Sequence, residues 1–520
     1  MPRKRASPTR RARKTSLIAA LKQPAAYDHD VTAVRVAETH ISWVFLTGAY
    51  AYKVKKPVKF SFLDFSTLER RRRFCEEELR LNRRLAPQLY LGVVPIGGDP
   101  EALRVGAEPA LEYAVKMREF PEDARLDRRL EAGALAAEPL RAFGARLAAF
   151  HDAQPPLAPR AATASALAAA RDNFTGLAEH LRARELGELD ALREWTEDRA
   201  ASIEPLIERR AALGRYRECH GDLHLENLLW LDGEILAFDA LEFDAALREI
   251  DVASEAAFLA MDLRAHGRAD LGYEFLSAYL EAGGDYEGLE VLRFYLVYRA
   301  LVRAKVRALK AAQKSAEAGR AEVGPYLDAA RELVATRTPL LVITHGLSGS
   351  GKTHVTQELI GPLRALRVRS DLERKRLHGL GAGARTGSTV GAGLYDPRAT
   401  ERTYARLAEV AATALRNGFD AIVDATFLRS AERAAFERLA AEAHARFAIL
   451  DCSAPETVLR HRIVARSSAG RDASEADLAV LDRQLATLDP LDPDERAVAV
   501  PVATNAPLDL PTLLTALARH

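Results

Sequence analysis

A glycine-rich segment in the last third of the chain constrains the fold more than any other stretch. The apolar run Leu340–Thr344 leads directly into residues 346–353, which read GLSGSGKT, and a helical pattern follows. This is a complete G-x-x-x-x-G-K-[ST] pattern between a strand and a helix, the setting in which the pattern has a physical meaning. Glycines allow backbone N–H groups to face an anion at a helix N-terminus, where the helix dipole also favours negative charge. The segment therefore predicts a phosphate-binding loop in an α/β region with a parallel sheet flanked by helices.

Each residue of this loop has an expected task. Lys352 should reach the β- and γ-phosphates of a nucleotide, and the Thr353 hydroxyl should bind Mg²⁺. The backbone groups expected to surround the phosphates belong to Gly346, Leu347, Ser348, Gly349, Ser350 and Gly351. The expected cofactors of this region are therefore ATP and Mg²⁺.

Two later segments extend the pattern of strands that end in polar residues. Residues 369–374 read RSDLER where a second strand should end, and residues 421–426 read AIVDAT, a third strand that ends in a carboxylate. Asp424 is expected to complete the magnesium shell. The region resembles the small P-loop kinases, a group that includes gluconate, nucleotide and polynucleotide 5′-hydroxyl kinases. In the polynucleotide enzymes a D-x-x-R at this point supplies a base and a substrate contact, which implies those roles for Asp371 and Arg374. The alternative is that Asp371 only caps the next helix.

Arg462 and Arg466 lie four residues apart, just before the small and polar residues 467–472. A helix with arginines that ends in a mobile loop is typical of a lid that neutralises charge during phosphoryl transfer. A solvated basic helix is the alternative.

The middle of the chain carries a second constellation, between residues 220 and 239, which read HGDLHLENLLWLDGEILAFD. Asp222 is separated from Asn227 by four residues, and Asp239 ends an apolar run. The D-x-x-x-x-N spacing is that of a kinase catalytic loop, in which the aspartate takes the proton of the acceptor hydroxyl and the asparagine binds Mg²⁺. Asp222 is thus the predicted base, and Asn227 and Asp239 are the predicted metal ligands.

The sequence of this segment distinguishes between two kinds of kinase. It has HGD where protein kinases have HRD and FDA where they have DFG, and no A-P-E follows. It resembles the aminoglycoside phosphotransferase family, small-molecule kinases on the protein-kinase fold with an HGDxxxxN loop. The acceptor does not follow from this resemblance, because the same loop serves choline, homoserine and sugar kinases. The alternative is that His220 and Asp222 cap a turn.

The segment before this loop has the pattern of a kinase small lobe. Alternating residues predict strands at 32–38 and 41–46, and Thr47-Gly48 predicts a hairpin into a third strand at 51–56. In this third strand Ala51-Tyr-Lys53 superposes on the A-I-K of the kinase motif, so Lys53 is the predicted phosphate contact, with Lys55 as second choice. A solvated basic strand is the alternative.

An ion-pair partner for this lysine is expected on the next helix, predicted at 67–85. Of Glu76, Glu77 and Glu78, only Glu78 is followed by apolar residues at i+3 and i+7, so Glu78 is preferred. The loop between the first two strands is Thr39-His40, without the glycines that usually cover phosphates. Weak ATP binding by this lobe is one expected consequence.

Composition limits the remaining classes of function. With 520 residues, 48% hydrophobic and 28% charged, the chain is expected to form two or three globular domains. The net charge of +1 does not favour binding to nucleic acid or membrane, and the three cysteines lack the spacing of a metal site. No apolar run is long enough to span a bilayer, so the protein is expected in the cytoplasm.

The predicted architecture is an α+β two-lobed protein-kinase-like domain followed by an α/β P-loop domain. The expected divisions are a disordered basic tail at 1–24, a kinase-like domain at 25–333 with its lobes meeting near residue 120, a linker at 334–338 and the P-loop domain at 339–520.

The predicted function is ATP-dependent transfer of phosphate to hydroxyl groups of small molecules at two sites. Two alternatives remain: only the P-loop domain is active and the amino-terminal domain is a ligand sensor, or the chain is a polynucleotide 5′-hydroxyl kinase. The acceptor and the oligomeric state do not follow from the sequence.

Overall fold

A computed structural model describes residues 17–60, 63–99, 102–158, 162–179, 181, 183–311, 316–381, 384, 396–469 and 476–520. The chain divides into two compact units. The first unit consists of Met1–Leu135 and Tyr216–Ile250, and the second of Ala136–Arg215 and Asp251–His520.

The first unit contains a six-stranded antiparallel sheet with the order β1-β2-β3-β8-β6-β7. Its strands are β1 (Arg35–Glu38), β2 (Ser42–Leu46), β3 (Tyr50–Lys55), β6 (Tyr90–Asp99), β7 (Ala102–Val105) and β8 (Ala110–Arg118). Successive residues of a strand point to opposite faces of the sheet. In β2, Trp43 and Phe45 therefore enter one core cluster, whereas Val44 and Leu46 pack against the other. The predicted hairpin at Thr47-Gly48 is present between β2 and β3.

Residues 1–16 of the predicted basic tail lie outside the described residues. Residues 17–21 form a helical turn, α1, although the sequence placed them in a disordered tail up to residue 24. The reason is hydrophobic: Leu21 is buried in the sheet core, and Leu17 and Ile18 pack against that core. A short apolar patch is therefore enough to order this part of the chain.

Helix α2 (Leu68–Asn82) packs on the sheet and begins at Thr67, whose side chain accepts a hydrogen bond from the backbone of Arg70. Its buried positions include Cys75, Glu78 and Asn82, which recur at helical spacing. This spacing turns Glu78 toward the sheet.

The rest of the first unit is built from short elements. They are β4 (Lys59–Phe60), β5 (Leu63–Asp64), α3 (Leu126–Glu131), β9 (Tyr216–Glu218), β10 (Leu228–Leu231), β11 (Glu234–Ala237) and, at the boundary of the unit, β12 (Glu249–Asp251). Strands β10 and β11 form a hairpin through Asp232 and Gly233, both with positive φ, as a tight two-residue hairpin turn requires. This hairpin separates Asn227 from Asp239 in sequence and brings the ends of its two strands together.

The second unit begins with helices. They are α4 (Ala137–Ala153), α5 (Ala162–Ala178), α6 (Ala183–Ala212), α7 (Val252–Ala265), α8 (Ala269–Gly283), α9 (Leu289–Ala311) and α10 (Ala316–Val334). Helix α4 packs against α8, and His151 donates to or accepts from the Tyr279 hydroxyl at 2.9 Å in the interior. Arg299 and Arg303 of α9 are buried among these helices.

The same unit contains a parallel five-stranded sheet with the order β14-β15-β13-β16-β17. Its strands are β13 (Leu340–His345), β14 (Ala365–Arg369), β15 (Asp420–Asp424), β16 (Arg446–Ser453) and β17 (Ala499–Ala503). The helices of this region are α11 (Lys352–Leu363), α12 (Ser370–Leu377), α13 (Pro397–Arg416), α14 (Ser430–Glu442), α15 (Glu456–Ala469), α16 (Leu478–Thr487), α17 (Pro493–Ala497) and α18 (Leu510–Leu517). The predicted parallel sheet is confirmed, and its central strand β13 is buried along its whole length.

Among the helices of the described ranges, none is both long enough and apolar enough to cross a lipid bilayer.

Candidate active sites

The predicted phosphate loop joins β13 to α11. Gly346, Gly349 and Gly351 have φ of +141°, +84° and +83°, which side chains rarely adopt. Space is restricted as well, because a Cβ on Gly349 would lie 2.9 Å from the carbonyl oxygen of Leu459, and one on Gly346 would collide with that of Cys452. The glycines are thus required both by the backbone conformation and by close packing.

The side chain of Lys352 folds back onto this loop. Its Nζ donates hydrogen bonds to the carbonyl oxygens of Gly346 at 3.0 Å and Leu347 at 2.8 Å. Burial lowers the pKa of Lys352 below its ordinary value, and the nearby Asp424 charge offsets only part of this effect. A phosphate group at this position would supply the negative charge that the buried ammonium lacks, so the site fits a nucleotide phosphate.

Thr353 and Asp424 both lie at the side of the parallel sheet where its strands end. Thr353 is in the first turn of α11, and Asp424 ends β15, which pairs directly with β13. Asp424 Oδ2 lies 3.4 Å from the Thr356 hydroxyl and 3.7 Å from Arg369 Nε. One hydroxyl and one carboxylate are the hard oxygen donors that Mg²⁺ uses when phosphates complete its shell, so this donor set fits the expected metal.

A single cleft of about 1070 Å³ connects the predicted residues of this region. The predicted side chains that line it are Lys352, Thr353, Asp371, Arg374, Asp424, Arg462 and Arg466. Asp371 and Arg374 are three residues apart on α12, so both face the same side, and Arg374 also contacts the Thr400 hydroxyl at 3.3 Å. The structure therefore brings all of these residues together.

The two arginines of α15 are held by backbone groups. Arg462 donates to the carbonyl oxygens of Gly349 at 3.2 Å and Thr504 at 2.7 Å, and Arg466 donates to that of Ala476 at 2.8 Å. Arg462 thereby links α15 to the phosphate loop itself. The loop predicted after Arg466 runs into residues 470–475, which lie outside the described residues.

Sequence reasoning missed several groups around this cleft. Gln484 on α16 accepts a hydrogen bond from the backbone N–H of Ser348 at 2.8 Å, and Tyr404 and Glu432 also line the cleft. These residues follow no motif and lie far from the loop in sequence. Only the general expectation that helices line the strand ends could have indicated them.

In the first unit, Lys53 lies between two carboxylates. Its Nζ is 2.9 Å from Glu78 Oε1 and also pairs with Asp239. Burial by itself would lower the pKa of Lys53, but Asp239 and Glu78 raise it well above its ordinary value. The first-choice lysine, the preferred glutamate and one predicted metal ligand are therefore in direct contact.

Lys55, the second-choice lysine, contacts the same glutamate. Its Nζ is 2.7 Å from Glu78 Oε2 and also pairs with Glu242, and all three residues are buried. Burial would raise the pKa of Glu78, but Lys53 and Lys55 lower it to about 2. The sequence analysis did not identify Glu242, because this residue lies after the recognised motif and belongs to no other motif.

The loop that contains Asp222 is held together by its own side chains. Asn227 Nδ2 donates to Asp222 Oδ2 at 2.9 Å and to the Asp222 carbonyl oxygen at 3.0 Å, and His224 Nε2 lies 3.2 Å from the same carboxylate. Because Asn227 uses its Nδ2 in these bonds, its Oδ1 is the atom that would bind a metal. His220 Nε2 lies 2.9 Å from the Phe238 carbonyl oxygen, and burial lowers its pKa to about 4.

Asp239 is positioned by residues outside the motif. Its φ is +62°, and its backbone N–H donates to the Tyr90 hydroxyl at 3.1 Å. The next backbone N–H, of Ala240, donates to Asn82 Oδ1 at 2.9 Å. Asn227 and Asp239 supply an amide and a carboxylate oxygen, which fit Mg²⁺, while Tyr90 and Asn82 are supporting residues that the sequence did not reveal.

These two sites and the folds that carry them define a phosphotransferase of the kinase class, and two family comparisons agree. The Phosphotransferase enzyme family matches residues 50–295, and the AAA domain family matches residues 341–491. They confirm the predicted fold class of a kinase-like region followed by a P-loop region.

The chain belongs to the bacterial family that joins an aminoglycoside phosphotransferase-like domain to a P-loop ATP-binding domain. An uncharacterized protein of Mycobacterium tuberculosis is 33% identical over 479 residues, which cover 90% of this chain and 95% of the relative. An uncharacterized protein of Mycobacterium bovis has the same identity and coverage.

Solved kinase structures align with parts of the chain. A choline/ethanolamine kinase family protein from Mesorhizobium loti is 16% identical, covers 62% of this chain and 95% of its own, and has a TM-score of 0.39. A gluconokinase from Sinorhizobium meliloti is 22% identical, covers 35% of this chain and 94% of its own, and has a TM-score of 0.26.

Proposed function

We propose that the protein transfers the γ-phosphate of ATP to hydroxyl groups of small molecules at two separate sites. The observation that carries this proposal is that each unit assembles a lysine, a candidate base and a pair of oxygen donors. In the second unit these are Lys352, Asp371, Thr353 and Asp424, which line one cleft. In the first unit they are Lys53, Asp222, Asn227 and Asp239.

At the P-loop site, the backbone of the glycine loop and Lys352 hold the phosphates. Asp371 takes the proton of the acceptor hydroxyl, whose oxygen attacks the γ-phosphorus while the bond to the leaving ADP oxygen breaks. Arg462 and Arg466 border the same cleft, where they neutralise the charge of the phosphoryl group in transfer. When bound by Thr353 and Asp424, Mg²⁺ supplies further charge neutralisation on the phosphate oxygens.

At the site of the first unit, Asp222 has the role of the base. The hydrogen bond from Asn227 keeps one carboxylate oxygen of Asp222 in place, and His224 contacts the same oxygen. Lys53 holds the α- and β-phosphates, with Glu78 fixing its ammonium group. Asn227 and Asp239 would hold Mg²⁺, which here too neutralises phosphate charge.

A second candidate function concerns the first unit alone: it binds a ligand as a sensor, and only the P-loop site transfers phosphate. Two observations favour it. The connection between β1 and β2 contains no glycine, and Asp239, a predicted metal ligand, is paired with Lys53. A catalytic first unit would require Asp239 to leave this lysine for the metal.

The test uses ATP labelled in the γ position with a panel of sugars, amino alcohols, aminoglycosides and a 5′-hydroxyl oligonucleotide. Wild type is compared with Asp222→Ala and Lys352→Ala in the full chain. Two active sites predict two sets of labelled products, each removed by one of the substitutions. A sensor predicts that Asp222→Ala changes nothing. Labelling of the oligonucleotide alone would support the polynucleotide kinase, and no labelled product with any acceptor would contradict the proposed function.

A further inference from the structure

A buried ion pair joins a helix of the phosphotransferase region to the P-loop region within the second unit. Arg367 on β14 is only 4% exposed, and its guanidinium meets Glu281 on α8 in a bidentate contact. The distances are 2.6 Å from Nε to Oε1 and 3.2 Å from Nη2 to Oε2. Glu281 lies inside residues 50–295, matched to the phosphotransferase family, and Arg367 inside residues 341–491, matched to the AAA domain.

The other edge of the same guanidinium reaches the first turn of α11. Arg367 Nη1 donates to the Thr353 carbonyl oxygen and to the Thr356 hydroxyl, both at 3.3 Å. The Thr356 hydroxyl in turn lies 3.4 Å from Asp424 Oδ2. Arg367 is therefore hydrogen-bonded to the backbone of Thr353, one expected metal ligand. It is also hydrogen-bonded to Thr356, whose hydroxyl lies beside Asp424, the other expected metal ligand.

The direction of this guanidinium depends on Glu281. Burial alone would lower the pKa of Arg367, but Glu281 offsets this and raises the pKa above its ordinary value. A guanidinium is planar and presents its N–H groups in a rigid fork, so the bidentate contact on one edge determines where the other edge points. Without the Glu281 charge, the cation would be left buried without its main partner, and it would turn toward other oxygen atoms.

We propose that Glu281 and Arg367 are positioning residues for the magnesium site of the P-loop. Glu281 orients Arg367, and Arg367 holds Thr353 directly and Asp424 through Thr356. Helix α8 of the phosphotransferase region then helps to position the metal ligands of the second kinase site. This role rests on the proposed function of that site, and it predicts that a fragment beginning at residue 337 would bind Mg²⁺ with its nucleotide poorly.

The chain offers a matched control on the same helix. Glu274 is a buried carboxylate two turns before Glu281, and it contacts Gln357 of α11 at 2.9 Å and Arg141 at 3.0 Å. The same Gln357 side chain accepts a hydrogen bond from Arg367 Nη2 at 2.9 Å, so Glu274 reaches the guanidinium through a neutral amide, whereas Glu281 contacts it directly. Glu281→Gln and Glu274→Gln therefore remove the same charge from the same interface, but the first removes the direct charged partner of Arg367, and the second keeps an oxygen that can still accept from Gln357.

The experiment titrates the full chain with AMP-PNP by calorimetry, once in Mg²⁺ and once in EDTA. The P-loop component is the binding step that Lys352→Ala removes. Partners of metal ligands typically contribute 10- to 100-fold to metal affinity. Glu281→Gln should therefore weaken the P-loop component about tenfold or more in Mg²⁺ and leave it nearly unchanged in EDTA, whereas Glu274→Gln should leave both unchanged. Arg367→Lys should behave as Glu281→Gln does.

Each other outcome has a definite meaning. An unchanged Mg²⁺-dependent affinity in Glu281→Gln would overturn the proposal, and so would an equal loss in Mg²⁺ and in EDTA, which is the result of a merely structural role. An equal Mg²⁺-specific loss in Glu274→Gln would also overturn it. If Lys352→Ala removes no binding step at all, the proposed function of the P-loop fails first, and the positioning role fails with it.

Discussion

Glu78 lies within 3 Å of two lysines, Lys53 at 2.9 Å and Lys55 at 2.7 Å, with one carboxylate oxygen for each. The two lysines alternate with Val54 on β3, so period-two geometry places both on one side of the sheet. The question of which lysine pairs with the helix has a structural answer: Glu78 holds both. The carboxylate partners differ, since Lys53 also contacts Asp239 and Lys55 also contacts Glu242.

Removing this carboxylate should destabilise the first unit. Glu78→Gln leaves two buried ammonium groups with one carboxylate each, and breaking a buried ion pair typically costs about 3–5 kcal/mol. The measurement is urea unfolding followed by tryptophan fluorescence in a Trp195→Phe background, because Trp43 and Trp230 then report on the first unit alone. Glu76→Gln on the exposed side of the same helix is the control, and it should cost less than about 1 kcal/mol. Equal losses in the two variants would contradict the prediction.

The two aspartates of the first site should respond differently to substitution. Asp222→Ala should keep Mg²⁺-dependent ATP binding but lose turnover by about 10²–10⁴-fold, the usual contribution of a base. Asp239→Ala should weaken the binding of ATP with Mg²⁺ itself, because it removes a metal ligand. ATP affinity at fixed Mg²⁺ and transfer of label are measured for both in a Lys352→Ala background. Equal loss of binding in both variants would show that the roles are wrongly assigned.

At the P-loop site, Asp371→Asn should reduce turnover by about 10²–10⁴-fold and leave ATP affinity unchanged, since the amide keeps the shape of the side chain and loses its basicity. Turnover is measured in an Asp222→Ala background, so that only this site contributes. Asp482→Asn, on an exposed position of α16, should leave both quantities unchanged. Full activity of Asp371→Asn would show that Asp371 is not the base and serves only the first turn of α12.

Acid should weaken the first unit through His220. Burial lowers the folded-state pKa of His220 from 6.5 to about 4, so below pH 6.5 the unfolded chain binds a proton that the folded chain does not. The contribution of neutral His220 to the free energy of unfolding is fully present above pH 6.5 and is lost as the pH falls toward 4. The total loss is on the order of 3 kcal/mol. Urea unfolding at pH 7 and at pH 5, in the Trp195→Phe background, should show a smaller pH dependence for His220→Gln than for the parent. An identical dependence would disprove this account.

The glycine loop should not tolerate a side chain at residue 349. Gly349→Ala forces a positive φ on alanine and brings its Cβ to 2.9 Å from the Leu459 carbonyl oxygen, so the loop must shift and ATP affinity should fall by at least about tenfold. Gly187→Ala is the control, because that glycine lies within α6 with no atom within 4 Å of the added Cβ. It should leave affinity unchanged and stabilise the chain by about 0.5–1 kcal/mol. Calorimetric titration with ATP compares the two, and normal affinity of Gly349→Ala would rule out the predicted strain.

Both sites were predicted from sequence to the extent that they consist of short motifs. The loop from Gly346 to Thr353 specifies its own backbone conformation through three glycines and its own charge through Lys352. The segment from Asp222 to Asp239 closes on itself through a two-residue hairpin turn, which brings its distant ends together. Within each of these two segments the groups are near one another in sequence, so local spacing was enough to propose them.

Sequence by itself determined the class of chemistry, the candidate lysines, bases and metal ligands, and the order of the two regions. Only the tertiary structure decided which residues support them: Glu242 beside Lys55, Tyr90 and Asn82 beside Asp239, and Glu281 beside Arg367. It also ordered residues 17–21, which the sequence placed in a tail, by burying Leu21. The physical reason is that a buried charge or an apolar side chain needs a partner nearby in space, and such a partner can come from any part of the chain without leaving a local pattern.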